Sequence, residues 1–307
     1  LKGVEIAALA SALLLLFLPF QILAQGQFTF QDVMKFEDIK TPVISADGRW
    51  IAYGVWPEIG DGEVVVRSVD GNRIHSIERG ERPQLTHDGS WTGALIQPPA
   101  VPVNTVQDND DHPSLLLLQT ASGDTAHFED VRSFSFTNSG EWSIIHHFRP
   151  NDLDDASKKN SRLGYPVTLY HLTSGTSRTL PFVHESAVDS TSTLFAYSVV
   201  DTSGEGNSLN LIGLTEPGGD EARLAGSSQM LYSNLAWDHD QMRLAFTSAQ
   251  MDTSRNFSAG DADIYVADAA TAELTLLAEP DDIESGYRLR TDNRLTWTHD
   301  GNRLFFG

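Results

Sequence analysis

Apolar and polar positions along this chain fall into short runs that keep returning to one pattern. In ISADGRWIAY, Ile44 to Tyr53, an apolar residue leads into a small polar stretch with Asp-Gly, and an aromatic-aliphatic run follows. The pattern predicts two short strands joined by a tight turn. Five further segments align with it: LTHDGSWTGA from Leu85, FTNSGEWSII from Phe136, VDSTSTLFAY from Val188, WDHDQMRLAF from Trp237 and WTHDGNRLFF from Trp297. The turn positions are Asp47, Asp88, Ser139, Thr191, Asp240 and Asp300, at successive spacings of 41, 51, 52, 49 and 60 residues. Asp47, Asp88 and Asp300 can cap their turns through their own side chains. Gly48, Gly89 and Gly301 accept the positive φ that such turns need, and Gly140 follows Ser139 in the third copy. The fourth copy has Thr191-Ser192 in place of Asp-Gly, and the fifth has Gln241 in place of the glycine.

Each repeat supplies two more strand-like runs. EVVVRSV and RIHSIER follow the first hairpin, VTLYHLT and SRTLPFV the third, SLNLIGL and ARLAG the fourth, DIYVADA and ELTLLAE the fifth. Four short strands per 40 to 60 residues, joined by Gly, Asp and Ser turns, make one propeller blade. The expected fold class is therefore all-β, a β-propeller of four-stranded antiparallel blades with about five blades and the start of a sixth. A parallel α/β sheet would need long amphipathic helices between strands, and the sequence offers none. One short helix is expected before the repeats, in TFQDVMKFEDI, Thr29 to Ile39, with Thr29 as N-cap. The expected division is a signal peptide over 1–24, a linker with the short helix over 25–40, and an incomplete propeller over 41–307. The sixth copy ends at Gly307 just into its second strand, so the chain is expected to be a fragment of a longer protein.

The first 25 residues differ from the rest. Lys2 precedes an almost unbroken apolar run from Ile6 to Phe20, and a small residue, Ala24, stands at its exit. This is the layout of a secretory signal peptide. An uncleaved anchor is the alternative and the only membrane contact expected. The protein is expected to be exported, periplasmic or extracellular. It has no cysteine, which excludes disulfides, a thiol nucleophile and cysteine-ligated zinc.

Little else suggests chemistry. No Gly-x-Ser-x-Gly elbow, Gly-rich phosphate loop or basic groove occurs. Ser139 and Ser174 sit in hairpin turns. His146 and His147 are adjacent on a strand and point to opposite faces. His112 stands with Asp108, Asp110 and Asp111 in a conceivable cation site that equally suits a solvated loop. The loop from Asp201 begins like a calcium loop, but Ile212 stands where a bidentate glutamate belongs. Five of the six tryptophans, Trp50, Trp91, Trp142, Trp237 and Trp297, fall in the aligned hairpins and read as core, and Trp56 could lie at a rim. Polar insertions at Pro98–Pro113, Pro150–Tyr165 and Asp281–Asn293 read as rim loops. No catalytic, cofactor or metal residue is assigned.

The run PVISADGRWIAYGVWPEIGDGEVVVRSVDG, followed by RGERPQLTHDGSW and ALIQPP, resembles the amino-terminal propeller of large secreted bacterial serine peptidases of the prolyl oligopeptidase family. The resemblance is most specific over Thr41 to Pro99. It implies a substrate-gating propeller that caps a carboxy-terminal α/β-hydrolase domain carrying the Ser, Asp and His of the triad. The implied partners are that hydrolase domain, absent from this chain, and peptide substrates. No Glu-Glu dipeptide is present, so the amino-terminus clamp of dipeptidyl-peptidase relatives does not carry over. Two alternatives stay open: a stand-alone periplasmic protein-binding propeller of the Tol-system type, and a propeller enzyme with its site in the channel.

The 307 residues include 42 acidic against 21 basic, for a formal net charge of −21, and only five lysines. Nucleic acid is excluded as a partner, since phosphate binding rests on clustered Lys and Arg. The surplus carboxylates fit either a soluble, self-repelling surface or adaptation to high salt. Adaptation predicts a melting temperature that climbs from low to molar salt, and thermal melts showing no gain would exclude it.

Overall fold

The computed structural model describes residues 29, 33–100, 111–150, 152–154, 157, 160–239, 242–252 and 258–306. The expected signal peptide, Asp240, Gln241 and Gly307 lie outside the described residues, as do Asp108 and Asp110.

Every sheet is antiparallel and follows chain order. Blade 1 consists of β1 (Glu37–Ile44), β2 (Trp50–Pro57), β3 (Glu63–Ser68) and β4 (Ile74–Glu78). Blade 2 consists of β5 (Gly80–Leu85), β6 (Trp91–Ile96), β7 (Ser114–Gln119) and β8 (Thr125–Phe128). β9 (Val131–Phe136), β10 (Trp142–His147) and β11 (Tyr165–His171) begin blade 3. β12 (Ser177–Val188) then serves two blades. Its first half pairs with β11, its second half pairs with β13 (Leu194–Val199), and Val183 pairs with both Tyr165 and Val199. The strand turns at Phe182, whose φ is 55°. β14 (Ser208–Gly213) and β15 (Glu221–Gly226) complete blade 4. Blade 5 is β16 (Met230–Trp237), β17 (Arg243–Asp252), β18 (Ser258–Asp268) and β19 (Leu274–Ala278). A hairpin of β20 (Leu295–Trp297) and β21 (Leu304–Phe306) follows.

Each junction between neighbouring blades holds an apolar cluster, and the junction of blades 4 and 5 holds a second, of Val200, Leu231 and Met251. Ala52, Val64, Val66 and Ile77 of blade 1 meet Ala94 of blade 2. Trp91, Leu115 and Leu117 meet Phe134 and Ile145 of blade 3. Trp142, Ile144 and Leu169 meet Phe195 and Tyr197 of blade 4. Leu209 and Leu211 meet Tyr232, Leu244 and Phe246 of blade 5. Ala245 and Ile264 meet Leu295 and Trp297 of the hairpin. The first strands of successive blades also touch, β1 with β5, β5 with β9, β12 with β16, and β16 with β20. The fold is a β-propeller.

Burial follows from this stacking. β6 and β10 have neighbours on both faces, and Trp91–Leu95 and Trp142–Ile145 are buried in unbroken runs without alternation. β3 alternates buried and half-buried residues, because one face of blade 1 is uncovered. Ile39 and Ile44 on β1, and Leu274, Leu276 and Leu277 on β19, stand exposed.

The helix expected over Thr29–Ile39 is corrected in part. Among the described residues only a single turn forms, with the Val33 amide donating to the Thr29 carbonyl at 3.2 Å. Glu37, Asp38 and Ile39 are strand, paired with Pro57, Trp56 and Val55. The ladder with β2 gives these residues inter-strand hydrogen bonds, and that outweighs the helical pattern of a short segment.

Gly48 and Gly89 have the same φ, 69°, in equivalent turns but different surroundings. A Cβ on Gly48 would meet nothing within 4 Å, whereas one on Gly89 would sit 2.9 Å from the Ser45 Cβ and the Trp50 ring. Gly48→Ala is expected to cost about 1–2 kcal/mol from the left-handed backbone alone. Gly89→Ala is expected to cost about 1–3 kcal/mol more, because blade 2 would push against blade 1. Urea unfolding of both variants measures the difference, and equal midpoints would contradict the blade contact.

Candidate functional site

Of the expected turn residues, Asp47, Asp88, Ser139 and Asp300 cap hairpin turns, and Asp240 lies outside the described residues. Asp47 Oδ1 accepts the Arg49 amide at 3.0 Å and the Ser45 hydroxyl at 2.5 Å. Asp88 does the same with Ser90 and Thr86, and Asp300 with Asn302 and Thr298. These hydrogen bonds hold the Asp47 and Asp88 carboxyls below the usual range and take Asp300 down to about 2. Ser139 repeats the contact more weakly, taking the Glu141 amide at 3.3 Å. Gly48, Gly89, Gly140 and Gly301 all have φ between 66° and 72°. A second capping group escaped the sequence reading, the hydroxyl two residues before the turn aspartate. Ser45 takes the Trp50 amide, Thr86 that of Trp91, Thr137 that of Trp142 and Thr298 that of Arg303. Where the glycine is lost, this residue becomes aspartate. Asp189 takes the amides of Thr191, Thr193 and Leu194 while Ser192 adopts φ 61°, and Asp238 takes the Arg243 amide and its guanidinium.

These groups are structural. Ser174 stands 2.8 Å from the His171 ring, but His171 Nδ1 also takes the Ser174 amide, so the pair is a turn cap. His112 stacks on Phe148 at 3.9 Å and meets Asp130, and His147 contacts the Glu129 carbonyl and Thr168. Asp201 spends its carboxylate on the amides of its own loop. Among the described residues no three His, Cys, Asp or Glu side chains gather as a metal site. Trp56 is not a free rim residue, since its indole N–H donates to the Gly80 carbonyl at the start of blade 2.

The arrangement with chemical potential lies on the first strands, around the axis. In blades 1, 2 and 5 these strands bulge at Thr41, Arg82 and Asn234, with φ of 46°, 51° and 56°. The position lies six residues before the turn residue. In the other repeats that count gives Ser133, Glu185 and Arg294, so every occupant is polar or charged. Counting back from the turn would have found them in the sequence, although their apolar neighbours give no sign of them.

Glu185, Asn234 and Arg294 share a cavity of about 370 Å³ between β12, β16 and β20. Glu185 reaches across the blade junction and accepts the amides of Asn234 at 2.6 Å and Leu235 at 2.9 Å. Burial raises its pKa above the ordinary glutamate value in spite of those donors. Trp237 and Trp297 also line the cavity, and their indole N–H groups donate to Ala187 and Ala236 of the preceding blade. On the opposite side of the junction sequence, Lys40, Thr41, Glu81 and Arg82 line a smaller cavity of about 170 Å³. A larger hollow, about 640 Å³, lies instead over the turns of blade 1. Its Asp70 is already bonded within its turn.

No protein-family model and no curated protein matches the chain. Solved structures do. A prolyl endopeptidase structure matches at 10% identity with TM-score 0.44, over 87% of this chain and 39% of that one. Prolyl oligopeptidase B from Galerina marginata matches at 11% identity with TM-score 0.46, over 88% and 38%. The β-propeller domain of the Trilobed protease from Pyrococcus furiosus matches at 13% identity with TM-score 0.40, over 89% and 79%. The chain thus spans about two fifths of the length of the first two.

His184 and Glu185 are neighbours on β12 that respond oppositely to acid. Burial lowers the His184 pKa to about 4. Between the ordinary histidine value and that one, the unfolded chain binds a proton that the folded chain refuses, so stability falls with pH, by about 3 kcal/mol at most. For Glu185 the folded chain holds the extra proton, so its contribution rises as pH falls toward the ordinary glutamate value. His184→Gln should therefore lose less stability than the parent on going from about pH 7 to about pH 4, and Glu185→Gln should lose more. Urea midpoints across that range test both signs, and parallel profiles for all three proteins would refute the assignment.

Proposed function

We propose that this chain is the propeller of an exported serine peptidase of the prolyl oligopeptidase family. In this reading its axis admits short or unfolded peptides to a hydrolase domain and refuses folded proteins. The observation that carries the reading is the polar axial wall. Thr41, Arg82, Ser133, Glu185, Asn234 and Arg294 occupy one repeat position on or just before the first strands, and every one of them is polar or charged. An extended peptide carries a polar amide at every residue and needs such partners once it leaves bulk water. The sequence resemblance over Thr41 to Pro99 supplies the family and the peptide-bond chemistry, acyl transfer through an activated serine in the hydrolase domain.

The test starts from the complete reading frame that encodes this chain. A Gly-x-Ser-x-Gly elbow is expected downstream of Gly307, followed by Asp and His. The full-length protein should react with a fluorophosphonate probe and hydrolyse short peptides while sparing folded proteins, and the 307-residue chain should not react. A reading frame that stops at Gly307 would turn the assignment to a stand-alone binding propeller. Labelling of the 307-residue chain would place a nucleophile within it and overturn the reading.

A further inference from the structure

The run RLRTDNR, Arg288 to Arg294, brings three arginines to the last junction of the array. Arg288 pairs with Asp261 at 2.7 Å, and Arg290 grips Asp292 through two nitrogens at 2.8 and 3.2 Å. Among the described residues Arg294 has no carboxylate at ion-pair distance, although the chain carries twice as many acids as bases. It stands exposed on the 370 Å³ cavity, with the more buried Glu185 on the same wall. Trp237 and Trp297 present fixed carbon faces there, because both indole N–H groups are spent on backbone carbonyls. Arg243 lies over the Trp297 ring at 4.8 Å and holds it further. Among the described residues the mainly polar cavity therefore offers an unpaired cation, two indole faces and a deeper carboxylate. Each Glu185 oxygen takes one amide and keeps acceptor capacity for another.

We propose that this cavity is a subsite for a carboxylate-bearing short peptide, with Arg294 as counter-ion to the carboxylate. A guanidinium binds a carboxylate through two parallel N–H donors. The peptide's nearest side chain lies against the indoles, and a preceding amide N–H faces Glu185. That donor lies between the two anions and separates them. The volume falls at the small end of the range for ligand cavities and suits a few residues. The carboxylate comes from either a C-terminus or an acidic side chain. The proposal deepens the reading of the axis as a passage for peptides and rests on it.

Binding is read by calorimetry on the 307-residue chain, independently of any hydrolysis. The probes are an N-acetylated tripeptide ending in phenylalanine as the free acid, the same peptide as its amide, and an amide with aspartate at the middle position. The free acid should bind at least about tenfold more tightly than the plain amide. The aspartyl amide matches the free acid if any carboxylate serves, and matches the plain amide if a C-terminus is required. Arg294→Gln should abolish the preference and Arg294→Lys should keep part of it. Both should melt like the parent, since Arg294 is exposed and unpaired. The proposal is overturned if the acid does not bind at millimolar concentration, if acid and amide bind equally, or if Arg294→Gln keeps the preference. Tight acid binding with no peptidase activity in the full-length protein would refute the peptidase reading and leave this site standing.

Discussion

No blade of this protein can bury its own apolar face. A four-stranded sheet has two faces, and each inner blade covers both only by lying between neighbours. The apolar clusters of the described residues span the junctions, so the junction is the unit of stability. The residue types follow from that. Strands covered on both faces, WTGALI and WSIIHH, bury consecutive residues with no alternation, and the less covered β3 alternates. The same rule leaves Ile39 and Ile44 at one end of the array, and Phe305 and Phe306 at the other, exposed.

Apolar packing alone would let two sheets slide, since dispersion contacts have little direction. Directed bonds fix the register of the later junctions. The Trp237 and Trp297 indoles each donate to the carbonyl of the alanine that precedes the matching position in the previous blade. Glu185 adds a charged acceptor between blades 4 and 5. A buried carboxylate costs several kcal/mol unless its oxygens are satisfied, and the two amides of the Asn234 bulge supply that satisfaction. Shared β12 does the same work covalently between blades 3 and 4, where one strand leaves the outer edge of one sheet and becomes the first strand of the next. Gly164 is required there, because a Cβ would fall 1.9 Å from the Phe182 carbonyl oxygen.

What the sequence discloses depends on whether a feature is local. The hairpins were legible because an Asp cap and a glycine at positive φ lie within two residues of each other, and the blade count followed from their spacing. The helical end at Glu37 to Ile39 was misread because its fate rests on β2, more than ten residues away. The hydroxyl or aspartate at Ser45, Thr86, Thr137, Asp189 and Asp238 was missed because its partner amide is five residues on, across the turn. The axial residues were harder still. Bulges at Thr41, Arg82 and Asn234 break the alternation of their strands, and Glu185 and Arg294 look like ordinary surface charges until β12, β16 and β20 are assembled.

That last point bears on how a repeat acquires a function. The turn, the apolar run and the inter-blade bond are constrained in every copy, because a failure at one junction uncovers two blades. The bulge position escapes this constraint. Its occupants lie outside the apolar clusters, and Glu185 among them meets the next blade only through the amides of Asn234 and Leu235. Its side chain can therefore vary from Thr41 to Arg82, Glu185, Asn234 and Arg294 while the fold stays the same. Equivalent positions that differ in charge from blade to blade make a repetitive scaffold electrostatically uneven. The constrained turn and the variable polar position thus stand in the same repeat, six residues apart.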